Sequence, residues 1–369
     1  MQENKRTYDG EITLIKILCI IIILLLGIYF INSTYITKLD SRVINDFATI
    51  FLSIILEGIP FILIGALASS IIQIFVSEET IARIIPKNKF VGVFIASLVG
   101  LVFPVCECAI VPITRRLLKK GVPLSIAVTF MLSVPIMNPV VLLSTHYAFM
   151  GMSYMVIARA MFGMMGAITV GVLIGVLHKD SPFKVKKVKR SKENIIKANH
   201  SHLDKSNDNC SCGHNHSQSN TRNMFIRNIE EVISHTSAEL YDIGRFFIMG
   251  VFLSTCMQVF IPKEFILSIG SGVLSSIIVM MVLAFVLSVC SETDAFIARS
   301  FLGQFTTGSI LGFLILGPMI DIKNTIMLCG SFKINFVVKL IFLIITICFI
   351  LAVIANLFPL ELISIGFAL

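Results

Sequence analysis

Apolar runs longer than the roughly 18 residues that mark a bilayer-spanning helix alternate with short polar segments along most of this chain. A polar tail, Met1–Gly10, precedes a first run from Ile12 to Ile31 that is interrupted by Lys16, whose stem is long enough to snorkel. A second run, Phe47 to Val76, carries Glu57, Gly58 and Pro60. Phe90 to Pro104 leads into FPVCECAIVPITRRLLKKGVPLSIAVTFMLSVPIMNP, residues 103–139, which sets two cysteines around a glutamate and places prolines at membrane depth. The run Leu124–Ser144 is broken at Pro135 and Pro139, and Tyr147–Leu177 is rich in Gly and Met, which suits close helix packing. Residues 178–223 then turn basic, with KVKKVKRSKEN, and low in complexity, and apolar runs resume near Ile229. The pattern predicts an all-α polytopic membrane protein with four parts. These are a tail and accessory helix (1–46), a first transmembrane repeat (47–177), a disordered loop (178–228) and a second repeat (229–369).

Composition narrows the class. With 369 residues, 56% hydrophobic, 14% charged and a mean hydropathy of +0.91, a soluble protein is excluded. The net charge of +8 comes from Lys and Arg beside apolar runs, so positive-inside bias accounts for it and no nucleic-acid partner is implied. That bias places both the RRLLKK turn and the 178–223 loop in the cytoplasm. The nine cysteines sit mostly in apolar segments and lack the spacing of a secreted disulfide framework.

The two halves resemble each other. A displacement of about 185 residues sets Gly65 on Gly250, Ser69 on Ser254, Gln73 on Gln258 and Glu57 on Asp242. With small gaps, VCEC (105–108) falls on VCSE (289–292), pairing Cys106 with Cys290. SVPIMNP (133–139) falls on LGPMIDI (316–322), pairing Pro135 with Pro318 and Asn138 with Asp321. Repeated halves with interrupted helices point to a transporter whose site lies between them near the midplane. Four crossings per half would give both halves the same orientation, but PVCECAIVP also reads as re-entrant, and nine crossings would leave Lys5, Arg6 and Lys16 outside.

Each candidate site has a plainer alternative. Cys106 and Cys108 would point about 200° apart on a regular helix, and buried cysteine is ordinarily a small hydrophobe. Flanking prolines and the Cys290 counterpart favour a shared cavity, where soft sulfur suits thiophilic species. Glu107, Glu292 and Asp294 add carboxylates beside these cysteines, or else sit at helix ends. Glu57 and Asp242 are candidates for proton or cation coupling, with pairing to Arg245 as the alternative. Asn138 and Asp321 follow the proline breaks, where they hold solute or satisfy a kinked backbone. In the loop, CSCGHNH offers Cys210, Cys212, His214 and His216 to Zn(II) or Cu(I), although the spacing is not that of a folded zinc module. No nucleotide site or nucleophile with its base is present, so the chain is not read as an enzyme, and no cofactor is required.

The blocks PVCECAIVP, the RRL turn, VPIMNP, the cytoplasmic loop and VCSETDAF together resemble the broad family of predicted bacterial permeases that includes the organoarsenical efflux permeases. The resemblance implies a plasma-membrane permease of eight or nine spans, and for some members export of trivalent methylated arsenic. It does not extend to the Cys and His of the loop. The expected function is therefore secondary efflux of a small thiophilic metalloid or metal species across a lipid bilayer. A membrane-embedded thiol oxidoreductase or assembly factor, or one subunit of a larger export complex, stand as alternatives.

Overall fold

The structure, a computed structural model, describes residues 41–75, 86, 88–102, 105–178, 182–183, 224–260 and 272–357. The expected N-terminal helix and the Cys/His cluster of the loop lie outside the described residues. Twelve α-helices are described in two sets. The first comprises α1 (Ser41–Phe75), α2 (Lys89–Leu98), α3 (Glu107–Lys119), α4 (Leu124–Met137), α5 (Pro139–Ala148) and α6 (Ser153–Leu177). The second comprises α7 (Met224–Phe260), α8 (Val273–Leu287), α9 (Asp294–Arg299), α10 (Thr307–Met319), α11 (Ile322–Ser331) and α12 (Ile334–Leu357). Among the described residues, six segments are long and apolar enough to cross a membrane: α1, the α4–α5 pair, α6, α7, the α10–α11 pair and α12. The protein is a multi-pass membrane protein.

One of the four apolar stretches in each half does not cross. Both α4 and α10 run on into α5 and α11 through a break, capped at Asn138 and Asp321 respectively. By contrast α2 has 10 residues and α3 has 13, so α3 rises about 20 Å, well short of a hydrocarbon core of about 30 Å. Contacts fix their directions. Gly65, Ser69 and Gln73 of α1 meet Ala109, Arg116 and Lys120 in order, so α3 runs parallel to α1 and ends at the same face. Gly92 and Ala96 of α2 and Gly100 of the 3-10 turn that extends it (Val99–Leu101) meet Ile126, Ser133 and Val134, so α2 is parallel to α4. Because α4 starts directly after α3, α2 must leave the face to which α3 returns. The two form a re-entrant hairpin whose tip holds Cys106. The alternative reading of PVCECAIVP as re-entrant is the one this geometry matches.

The second set runs the other way. Gly58 and Ser69 of α1 meet Phe247 and Glu239 of α7 in reverse order, so α7 is antiparallel to α1. Ser276 and Met281 of α8 meet Ser309 and Gly312, so α8 is parallel to α10, and the chain returns from its end through residues 288–306. A second hairpin, with Cys290 at its tip, therefore enters from the opposite face. The first face carries Arg115, Arg116, Lys119 and Lys120 and is termed the basic face.

Packing is tightest where small residues let backbones meet. Gly163, Gly171 and Gly175 of α6 lie against Ile136, Thr129 and Ser125 of α4, an antiparallel seam in which a Cβ on Gly171 would overlap the Thr129 hydroxyl. At the second hairpin tip, Ser288 adopts a left-handed backbone (φ 46°), and its hydroxyl accepts a bond of 3.1 Å from the Ile322 N–H. That non-glycine strain is held by the cap it provides to α11. Buried side chains of both sets form one continuous core.

Candidate functional site

The site is built on the first hairpin tip. Cys106 has an extended backbone (φ −78°, ψ 170°) and stands as N-cap of α3, so the chain turns sharply between it and Cys108. The 200° separation of a regular helix therefore does not apply, and the two thiols stand within hydrogen-bonding reach of one another. Both are buried, at 2% and 7% exposure. Across the interface, Cys290 lies at the second tip, where its carbonyl accepts from the Thr293 and Asp294 N–H groups.

These residues line one narrow cleft between the two helix sets, with a volume of about 10 Å³, room for about one water. Ile54, Glu57, Gly58 and Phe61 of α1 form one wall and Phe247 of α7 another. Cys106, Glu107, Cys108, Cys290 and Lys323 complete it. Glu107 is 1% exposed. Its Oε1 lies 3.4 Å from Lys323 Nζ, which is also 3.4 Å from Asp321 Oδ2. Charge-assisted contacts of this type usually close to about 2.7–2.9 Å, so one ammonium is shared loosely between two carboxylates. Among the described residues, Glu107 Oε2 has no hydrogen-bond partner. Among the described residues no group of three or more His, Cys, Asp or Glu is placed to hold a metal ion.

Two further ion pairs join the helix sets, one fully buried and one partly buried. Arg159 is fully buried and binds Asp294 through both carboxylate oxygens, at 2.9 and 2.6 Å; it also donates to Thr145 Oγ1 (2.7 Å) and to the Ser291 carbonyl (3.2 Å). Near the basic face, Arg116 Nε and Nη2 each donate to Glu239 Oε2 at 3.2 Å, and the Ser69 hydroxyl donates to the same oxygen at 2.7 Å.

The candidates from sequence separate accordingly. Cys106, Glu107, Cys108, Cys290 and Glu57 meet in the cleft, and Asp321 approaches it through Lys323. Asp242 does not join Glu57: it forms a half-exposed pair with Arg245 at 3.4 Å on its own helix. Pairing with Arg245 is the alternative that the sequence left open beside ion coupling. Asn138 is buried and caps α5 by accepting from the Val140 N–H at 2.9 Å, a backbone role. Asp294 is occupied by Arg159, and Glu292 is half-buried beside it. Sequence reasoning missed Lys323, Arg159, Arg116 and Glu239. The available signal was a charged residue inside an apolar run, as in YMVIARAMFG.

A family model described as "Predicted permease" matches residues 43–357. The chain belongs to that family. Among curated relatives, the permease is 42% identical over 293 residues to "UPF0718 protein YcgR" of Bacillus subtilis, covering 79% of this chain and 91% of the relative. It is 38% identical over 304 residues to a Streptococcus mutans protein named "Putative two-component membrane permease complex subunit", covering 82% and 92%. No solved structure matches. The matched span of the permease takes in both hairpin tips, both broken helices and every charged residue of the cleft.

Proposed function

We propose that this permease is a secondary exporter in the plasma membrane that passes a small thiophilic solute, of the class of trivalent organoarsenicals, through the cleft between its two helix sets. The observation that carries the reading is the presence of Cys106, Cys108 and Cys290 on that one cleft. A trivalent arsenical with two hydroxyl groups exchanges each As–O bond for an As–S bond. Each thiol proton leaves with a hydroxide as water, and no electrons change hands. Water reverses the exchange on release. Two adjacent thiols capture the solute and the third, on the opposite hairpin, takes over one bond, so that binding stays reversible. The opposed directions of the two sets fit an inverted repeat of the kind that underlies alternating access. Glu57 and Glu107, beside the thiols, are the groups we assign to ion coupling, and the Cys/His loop is assigned to cytoplasmic Zn(II) or Cu(I) binding.

The test is resistance to and efflux of methylarsenite in cells lacking other arsenical exporters. Cys106→Ser and Cys108→Ser are expected to abolish export at normal membrane abundance, since serine keeps the size but loses the softness. Cys290→Ser should slow it. Normal export by all three variants would overturn the thiol site. The Streptococcus relative's name favours a second reading, in which the chain is one subunit of a permease complex. Flux in liposomes that hold this chain alone separates the two.

A further inference from the structure

We infer that Arg116–Glu239 and Arg159–Asp294 are the two gates of this permease, one on each side of the cleft, and that the structure holds both closed. The inference rests on the chain being a permease and not on the identity of its solute.

Three facts of placement support it. Each pair joins one helix set to the other: Arg116 on α3 to Glu239 on α7, and Arg159 on α6 to Asp294 on α9. They also lie on opposite sides of the cleft. Along α1 the cleft residues run from Ile54 to Phe61, whereas Ser69, which completes the Arg116 network, lies further toward the basic face. Arg159 and Thr145 are near the other face, at the start of α6 and the end of α5. Between the two pairs, Cys106, Cys108 and Cys290 are all under 10% exposed, the state expected with both routes shut.

Stability alone gives a poor account of these pairs. A buried ion pair recovers its desolvation cost only in part, and an apolar seam of equal volume is often as stable. The same core already joins the two sets through apolar side chains. An ion pair differs from such a seam in its behaviour once separated. Parted apolar surfaces resist wetting, whereas a parted Arg and carboxylate are each hydrated and line a water path. The hairpins supply the movement. Because α3 belongs to the hairpin from the basic face and α9 to the hairpin from the opposite face, a tilt of one set against the other parts one pair while the second stays closed.

The native thiols of the cleft provide the readout. A membrane-impermeant maleimide is applied to one face at a time of oriented vesicles containing the full chain, and modification of Cys106, Cys108 and Cys290 is followed by peptide mass spectrometry. The unaltered chain should label slowly from both faces. Glu239→Gln should speed labelling from the basic face by about tenfold or more and leave the other face unchanged; Asp294→Asn should do the reverse. The exchange Arg116→Glu with Glu239→Arg should return the slow rate. The paired variants Arg116→Gln/Glu239→Gln and Arg159→Gln/Asp294→Asn leave no lone buried charge, so they report even if a single variant fails to insert. Two results would overturn the gates: faster labelling from the same face in both paired variants, or unchanged labelling from both faces. Labelling reads access alone, so loss of the thiol-binding reading would leave this result standing.

Discussion

Gly65→Ala isolates how closely the first hairpin must lie against α1. A Cβ at Gly65 would stand 2.7 Å from both the Ala109 Cα and its carbonyl oxygen, and 2.8 Å from its Cβ. Ordinary contact begins at 3.4 Å, and two of these atoms are backbone, so no rotamer change relieves the overlap and α3 must retreat by about 0.7 Å. Overpacking of this type costs about 1–3 kcal/mol, against about 1 kcal/mol gained by replacing a helical glycine with alanine. Gly244→Ala on α7 provides the reference, because nothing lies within 4 Å of its Cβ and only the propensity gain applies. In one detergent, Gly244→Ala should melt slightly higher than the unaltered chain and Gly65→Ala lower. The gap between the two variants should be about 1–3 kcal/mol, the packing term alone. Transport should fall in Gly65→Ala only, since Ala109 directly follows Cys108. Equal melting shifts for the two variants would refute the close approach of α3 to α1.

Burial and the loop give two other predictions. Lys323→Met leaves Glu107 and Asp321 without their shared cation and should destabilise the protein by about 3–5 kcal/mol, whereas Glu107→Gln with Lys323→Met should recover part of that loss; additivity in a thermal double-mutant cycle would show the pair to be uncoupled. Replacing Cys210, Cys212, His214 and His216 together should leave membrane insertion intact while removing Zn(II) binding by the purified chain, and loss of insertion on a membrane blot would contradict the linker reading.

The class of protein, the two cysteine blocks and the two proline breaks could all be read from local pattern, because each is a departure from an otherwise uniform apolar background. The path of PVCECAIVP could not. Read as part of the apolar stretch from Phe90, it is compatible with crossing or with returning, and the helix start at Glu107 together with the order of contacts to Ser69 and Gln73 decides between them. The convergence of Cys106 with Cys108 depended on one extended residue at a helix start, which spacing alone does not encode. Lys323 was hidden for a similar reason. It follows Asp321 in IDIKN, a string that reads as an interfacial turn until the break above it is known to lie in the core. Asp242 shows what repeat equivalence leaves open: it keeps the same 185-residue displacement as Gly250, Ser254 and Gln258, yet its neighbours are set by its own helix, where Arg245 stands three residues on and pairs with it.

The three ion pairs between the helix sets also bear on how the chain is made. Arg116 is synthesised 123 residues before Glu239, Arg159 is synthesised 135 before Asp294, and Glu107 is synthesised 216 before Lys323. Throughout that interval the nascent first half carries two guanidinium groups and a carboxylate that a bilayer accommodates poorly without partners. The first hairpin, too short to be retained as a span, has no counter-charge to settle against until α7 has emerged from the ribosome. The final seating of α2 and α3 is therefore expected to wait on the second half, first on Glu239 of α7 and then on Lys323 of α11.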